Sequence, residues 1–145
     1  LGEHGDTSFI PWSCADIGAA SVDEYTRIAQ SFGQDIIELD KEAVIEYVRK
    51  SGGKIIANKG ATFYAVSVSV VKLCKMLLAS SDSIATVSSL LHGEYGIEDV
   101  CLSTLTLVGP EGVKGRIPVE LNDEEMEKMQ ASADALKKVI AQIDL

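Results

Sequence analysis

Residues 83–119 read SIATVSSLLHGEYGIEDVCLSTLTLVGPEGVKGRIPV, and the fold class turns on this stretch. Ser83 to Leu90 and Val100 to Val108 are rich in Ile, Val, Thr and Leu, the side chains that suit a pleated, half-buried surface. Gly109-Pro110-Glu111-Gly112 is a turn sequence, and Val113 to Val119 follows it at once. Three short strands joined by tight connections predict an antiparallel meander.

On the C-terminal side, Asn122 with Glu125 three residues on is a capping-box pair. Met126, Met129, Ala133, Leu136, Ile140 and Ile143 then fall on one stripe, which predicts a surface helix packed on the sheet. On the N-terminal side the period is also helical. Phe63 to Ala79 is apolar on most of its circumference, with only Lys72 and Lys75 charged, so a helix buried on most sides is expected, running through the core and into a subunit contact. Before it, Asp40 is a good N-cap, Val44, Tyr47, Val48, Ser51 and Ile55 keep helical spacing, and Gly60 stands where a left-handed C-terminal residue belongs. Gly52-Gly53 inside that helix implies either the close approach of another backbone or a break into two shorter helices. From Ser21 to Asp40 only a short helical turn near Tyr25 to Ala29 is expected, and residues 1–20 read as loop and short extended pieces around Phe9, Ile10, Pro11 and Trp12. The class is α+β, an antiparallel sheet with long packed helices, in one domain over residues 1–145.

A chain of 145 residues with 46% hydrophobic content can bury a proper core. The net charge of −9, without a basic cluster, argues against nucleic acid or an anionic membrane as a partner. No apolar run approaches the ~20 residues of a membrane span. Cys14, Cys74 and Cys101 are odd in number and form no C-x-x-C pair, so they are expected to be reduced, mostly buried thiols in cytoplasm. The chain opens on Leu1 and passes straight into Gly2-Glu3-His4-Gly5-Asp6, a dense polar loop; this leads us to expect a preceding part.

That loop carries the candidate chemistry. Gly2 and Gly5 let the backbone turn tightly and a ligand approach, and imidazole is the side chain suited to proton transfer near neutrality. His4 is therefore the candidate acid or base, with a metal site and a Ser-His-Asp hydrolase as the competing readings. His92, in His92-Gly93-Glu94-Tyr95-Gly96, reads as a loop residue at a sheet edge. Two distant histidines without a cysteine pair give no metal-ligand spacing, and no metal site is expected. No G-x-S-x-G elbow and no G-x-G-x-x-G phosphate loop occur.

Gly2-Glu3-His4-Gly5-Asp6-Thr7, followed by Trp12-Ser13, resembles the signature around the catalytic histidine of the L-lactate dehydrogenases, within the lactate/malate dehydrogenase family. Lys59-Gly60-Ala61-Thr62-Phe63-Tyr64 resembles the substrate-wall segment of bacterial members, and Tyr95-Gly96 with the Val100 to Val108 strand continues the likeness over essentially the whole chain. The resemblance implies the C-terminal, substrate-binding domain of an enzyme that interconverts pyruvate and L-lactate with NAD. It implies that His4 gives a proton to the pyruvate carbonyl oxygen and takes one from lactate. Thr62 would line the pocket beside the substrate methyl, and Val66 would touch the nicotinamide ring; on residue type alone Thr62 reads equally as a helix N-cap and Val66 as core. The family's histidine-orienting aspartate, its substrate-clamping and mobile-loop arginines and its phosphate loop find no match in this segment, so NAD would be held mainly by an N-terminal Rossmann domain outside it. The resemblance further implies a homotetramer of full-length chains. Malate or another 2-hydroxy acid as substrate remains an alternative, as does, for the chain by itself, a folding and oligomerisation module without activity.

Overall fold

The β-branched and leucine-rich runs do pair as a meander in the computed structural model, which describes residues 1–36 and 38–143. Strands β3 (Ser83–His92), β4 (Glu98–Gly109) and β5 (Gly112–Arg116) form an antiparallel sheet in the order β3-β4-β5, and a two-residue ribbon of β1 (Asp16–Ile17) and β2 (Ala20–Ser21) lies apart from it. The β3–β4 register runs from Ser83 opposite Val108 to Leu90 opposite Cys101, then slips before His92 meets Glu98. Strand β5 stops short of the expected Val119: Ile117 still donates its N–H to Leu105 O at 2.8 Å, but Pro118 has no N–H to offer.

Period-2 burial along β4 places the core. Val100, Leu102, Thr104, Thr106 and Val108 are buried on one face. Helix α4 (Asp123–Ile140), opened by the reciprocal Asn122–Glu125 cap, packs against that strand through Met129 and Ala133, together with Phe9, Leu91 and Ile97. Leu91, Leu102 and Met129 are each 0% exposed, and removing such a side chain from water contributes roughly 1.5–3 kcal/mol. Ile140 and Ile143, at the far end of the predicted stripe, are exposed: the first is the last helical residue and the second lies beyond the helix.

Three helices precede the sheet. Helix α1 (Val22–Ser31) is longer than the short turn expected, because Ser21 and Glu24 form a capping box that the sequence reading passed over. Helix α2 (Lys41–Lys59) has both ends as expected: Asp40 accepts from Ala43 N at 2.9 Å, and Gly60 is left-handed at φ 79°. It is unbroken through Gly52-Gly53, and a Cβ at either glycine would meet nothing within 4 Å, which corrects both readings of that pair. Helix α3 (Tyr64–Leu77) corrects a larger expectation. None of its residues is buried; Val68 is 70% exposed and Val66 53%. It touches β4, but α4 and the N-terminal segment fill the core, and among the described residues nothing wraps the remaining apolar circumference. Cys74 is exposed with it, Cys101 is exposed on the other face of β4, and Cys14 is half-buried, so the thiols are not mostly buried.

Glu125 is 5% exposed on the α4 stripe, an expensive place for a charge. Burial alone would raise its pKa, but hydrogen bonds from the Ser13 hydroxyl, from Ser13 N at 3.0 Å and from Asn122 N at 3.2 Å, with the Lys128 charge nearby, outweigh it and hold the carboxyl below the usual carboxylate range. A depressed native pKa stabilises the fold above the unfolded carboxylate pKa, and that contribution disappears as pH falls through the native value. Glu125→Ala should therefore cost on the order of 1–3 kcal/mol at pH 7, by orphaning those donors, and the gap to wild type should narrow in acid. Urea unfolding at pH 7 and at pH 3 measures it; a gap independent of pH would refute the ionised bond.

Candidate functional site: the His4 loop

Gly2 begins the loop as an extra rung on the sheet: its N–H donates to Ser103 O at 3.1 Å and its carbonyl accepts from Ser103 N at 2.8 Å. Its φ of +86° is a left-handed conformation that favours glycine, and an added Cβ would stand 2.4 Å from Ser132 Oγ. Phe9 closes the other end, donating to Leu1 O at 3.1 Å and burying its ring in the core. Between these two points the chain must turn back on itself.

Side chains lock that turn from inside. Glu3 Oε1 accepts from Thr7 N at 3.1 Å and from the Thr7 hydroxyl at 2.6 Å. Ser132, fully buried on α4, donates to Thr7 O at 2.9 Å, lies 2.8 Å from Thr7 Oγ1 and accepts from Glu3 N at 3.2 Å. The outer edge is tied to α2, where Arg49 Nε donates to Ser8 O at 3.2 Å. Three elements distant in sequence thus fix a loop whose tip stays in solvent.

His4 is at that tip, exposed, and lines a cleft of about 570 Å³ with Glu3, Ser88, Leu90, Asp99 and Cys101. Thr62 lies elsewhere, in a cleft with Ile55, Asn58, Lys59, Phe63 and Tyr64 at the α2–α3 turn. It is not the α3 N-cap; Phe63 is, without a side-chain cap bond, which corrects that reading. Val66, one turn further on, lines neither cleft, and its exposure removes the core reading. The chain therefore does not gather His4, Thr62 and Val66 around one cavity. His92 ends β3 with its side chain exposed and its N–H donated to Glu94 at 2.6 Å, as befits a sheet-edge residue. Among the described residues no group of three or more His, Cys, Asp or Glu gathers for a metal, and no helix is long and apolar enough to cross a membrane.

Sequence reasoning singled out the histidine as a candidate but not what holds its loop. Ser132 and Glu125 are polar positions inside an otherwise apolar stripe, and each hydrogen-bonds the N-terminal segment. The detectable signal was that interruption of the stripe.

The family model for the lactate/malate dehydrogenase alpha/beta C-terminal domain matches residues 1–144. The chain belongs to that family. It is similar to the L-lactate dehydrogenase of Thermoanaerobacterium saccharolyticum, 42% identical across the whole chain and 46% of that relative. Among solved structures it superposes on an L-lactate dehydrogenase from Clostridium thermocellum with a TM-score of 0.85 and 36% identity, covering 99% of this chain and 45% of that one. It also matches a malate dehydrogenase from Archaeoglobus fulgidus in complex with NADH, with a TM-score of 0.76 and 32% identity, over 94% of this chain and 40% of that one. The chain spans under half the length of these relatives, all of them dehydrogenases.

Proposed function

We propose that residues 1–145 are the substrate-binding domain of an NAD-dependent L-lactate dehydrogenase that interconverts pyruvate and L-lactate in the cytoplasm. The observation that carries this reading is the exposed His4 imidazole on a loop held at three points, as proton transfer to a bound carbonyl requires. Bound NADH supplies the hydride. As the carbonyl carbon of pyruvate is reduced, negative charge builds on its oxygen; the His4 imidazolium donates a hydrogen bond to that oxygen and then the proton, and in the reverse direction neutral His4 takes the lactate hydroxyl proton. Thr62 stands beside the substrate methyl.

Val66 suits a nicotinamide contact, being an apolar side chain left 53% exposed one helical turn beyond Thr62. The rest of the cofactor, its phosphates above all, belongs to a Rossmann domain outside these residues, since no glycine-rich phosphate loop occurs among them. The same division explains why His4 and Thr62 lie in separate clefts here: a second domain would complete one site from both. The uncovered apolar side chains of α2 and α3, Tyr47, Val48, Val68 and Val70 among them, support assembly of full-length chains as a homotetramer. Malate dehydrogenase activity is the second reading, favoured by the likeness to the A. fulgidus structure.

The full-length protein assayed with NADH and either pyruvate or oxaloacetate separates the two. A kcat/KM at least tenfold higher for pyruvate is expected; the reverse preference would move the assignment to malate. In the same assay the 145-residue chain alone should turn over neither substrate. Saturable micromolar quenching of NADH fluorescence by the chain alone would place cofactor binding in this domain and refute the division of labour.

A further inference from the structure

We infer that Ser132, in the C-terminal helix, is a positioning residue for proton transfer by His4, acting through Thr7 and Glu3; this rests on the reading of His4 just given. The proton inventory of the cluster leaves little freedom. Thr7 Oγ1 gives its only proton to the Glu3 carboxylate at 2.6 Å, so toward Ser132 it can only accept. Ser132 has one proton for Thr7 O at 2.9 Å or Thr7 Oγ1 at 2.8 Å, and its lone pairs take the N–H of Glu3, the residue directly before His4. Both acceptors open to the Ser132 proton belong to Thr7, and Ser132 is 0% exposed, so no bulk water replaces it.

The mechanical consequence follows from the direction of the bonds. Ser132 grips the loop on both sides of His4, at Glu3 N and at Thr7 O, from a helix seated on the core through Met129 and Ala133. A Cβ on Gly2 would enter the same space, which shows how closely the loop backbone is pressed onto this hydroxyl. Without the grip the hairpin keeps its rung at Ser103 and its tie to Arg49, so the loop survives, but residues 3–7 gain freedom just where the imidazole must be held. Misplacement of a reacting group by about 1 Å can cost up to ~10²-fold in rate.

In the full-length dehydrogenase, Ser132→Ala should lower kcat for pyruvate reduction about tenfold, while the KM for pyruvate and the affinity for NADH change little. The solvent deuterium isotope effect on kcat should rise, because proton delivery becomes the slower step. Thr7→Val should repeat both effects, and Thr7→Ser, which keeps the hydroxyl, should restore most of the rate; this pair decides the matter if Ser132→Ala does not fold. A Ser132→Ala enzyme with wild-type kcat and isotope effect per folded site, or Thr7→Val and Thr7→Ser enzymes that behave alike, would overturn the role. His4→Asn run in parallel separates the failures: if it abolishes turnover while Ser132→Ala keeps the wild-type kcat and isotope effect, only the positioning role falls, and if it keeps its rate, both readings fall.

Discussion

Replacing His4 with asparagine in the full-length enzyme is expected to cut kcat/KM for pyruvate by at least about two powers of ten while NADH affinity stays nearly intact. General acid catalysis contributes typically ~10²–10⁴-fold, and asparagine can donate a neutral hydrogen bond from a similar place but no proton. The loop should tolerate the change, because His4 is exposed and the loop is held by Glu3, Thr7, Ser8 and Gly2. The loss should therefore appear in catalysis and not in folding. A variant that keeps most of its rate, or that loses NADH affinity in step with it, would make His4 a structural residue.

Gly2→Ala should be the most destabilising single methyl in the site. An alanine at φ +86° takes on a left-handed strain of about 1–2 kcal/mol, and overpacking of a tight contact typically adds about 1–3 kcal/mol. The contact is tight: the new Cβ meets Ser132 Oγ at 2.4 Å and Ser132 Cβ at 3.1 Å. Roughly 2–5 kcal/mol is expected from denaturant unfolding. The steric part involves the serine hydroxyl, so Gly2→Ala with Ser132→Ala should destabilise less than the sum of the two single changes. Strict additivity would show that only backbone strain acts at Gly2 and that the loop is not pressed onto Ser132.

Both substitutions test a site of which one layer was legible in sequence and one was not. His4 between two glycines stood out because short-range chemistry identifies it: few side chains transfer protons near neutrality, and glycine flanks give access. Ser132 carried no such mark. A serine amid Met129, Ala133 and Leu136 reads as a gap in an apolar stripe, and its partners lie at Glu3 and Thr7, 129 and 125 positions away. Glu125 is a half-way case, since its capping role with Asn122 is local and legible while its bond to Ser13 spans 112 positions.

The secondary structure divides along the same line. The caps at Asp40, Gly60 and Asn122 and the 109–112 turn were set by interactions within a few residues, and each appears where the sequence placed it. The α1 capping box was equally local and simply overlooked. The environment of α3 was of another kind. Its composition demands cover on most sides, but composition does not say which chain supplies the cover, and in this structure Val66, Val68, Val70 and Val71 are left in solvent. Gly52-Gly53 likewise permits a close approach without providing the partner. Burial and long-range hydrogen bonding belong to pairs of surfaces, so only the tertiary arrangement could decide that α4 covers the sheet, that α3 stays bare, and that a serine near one end of the chain holds the histidine near the other.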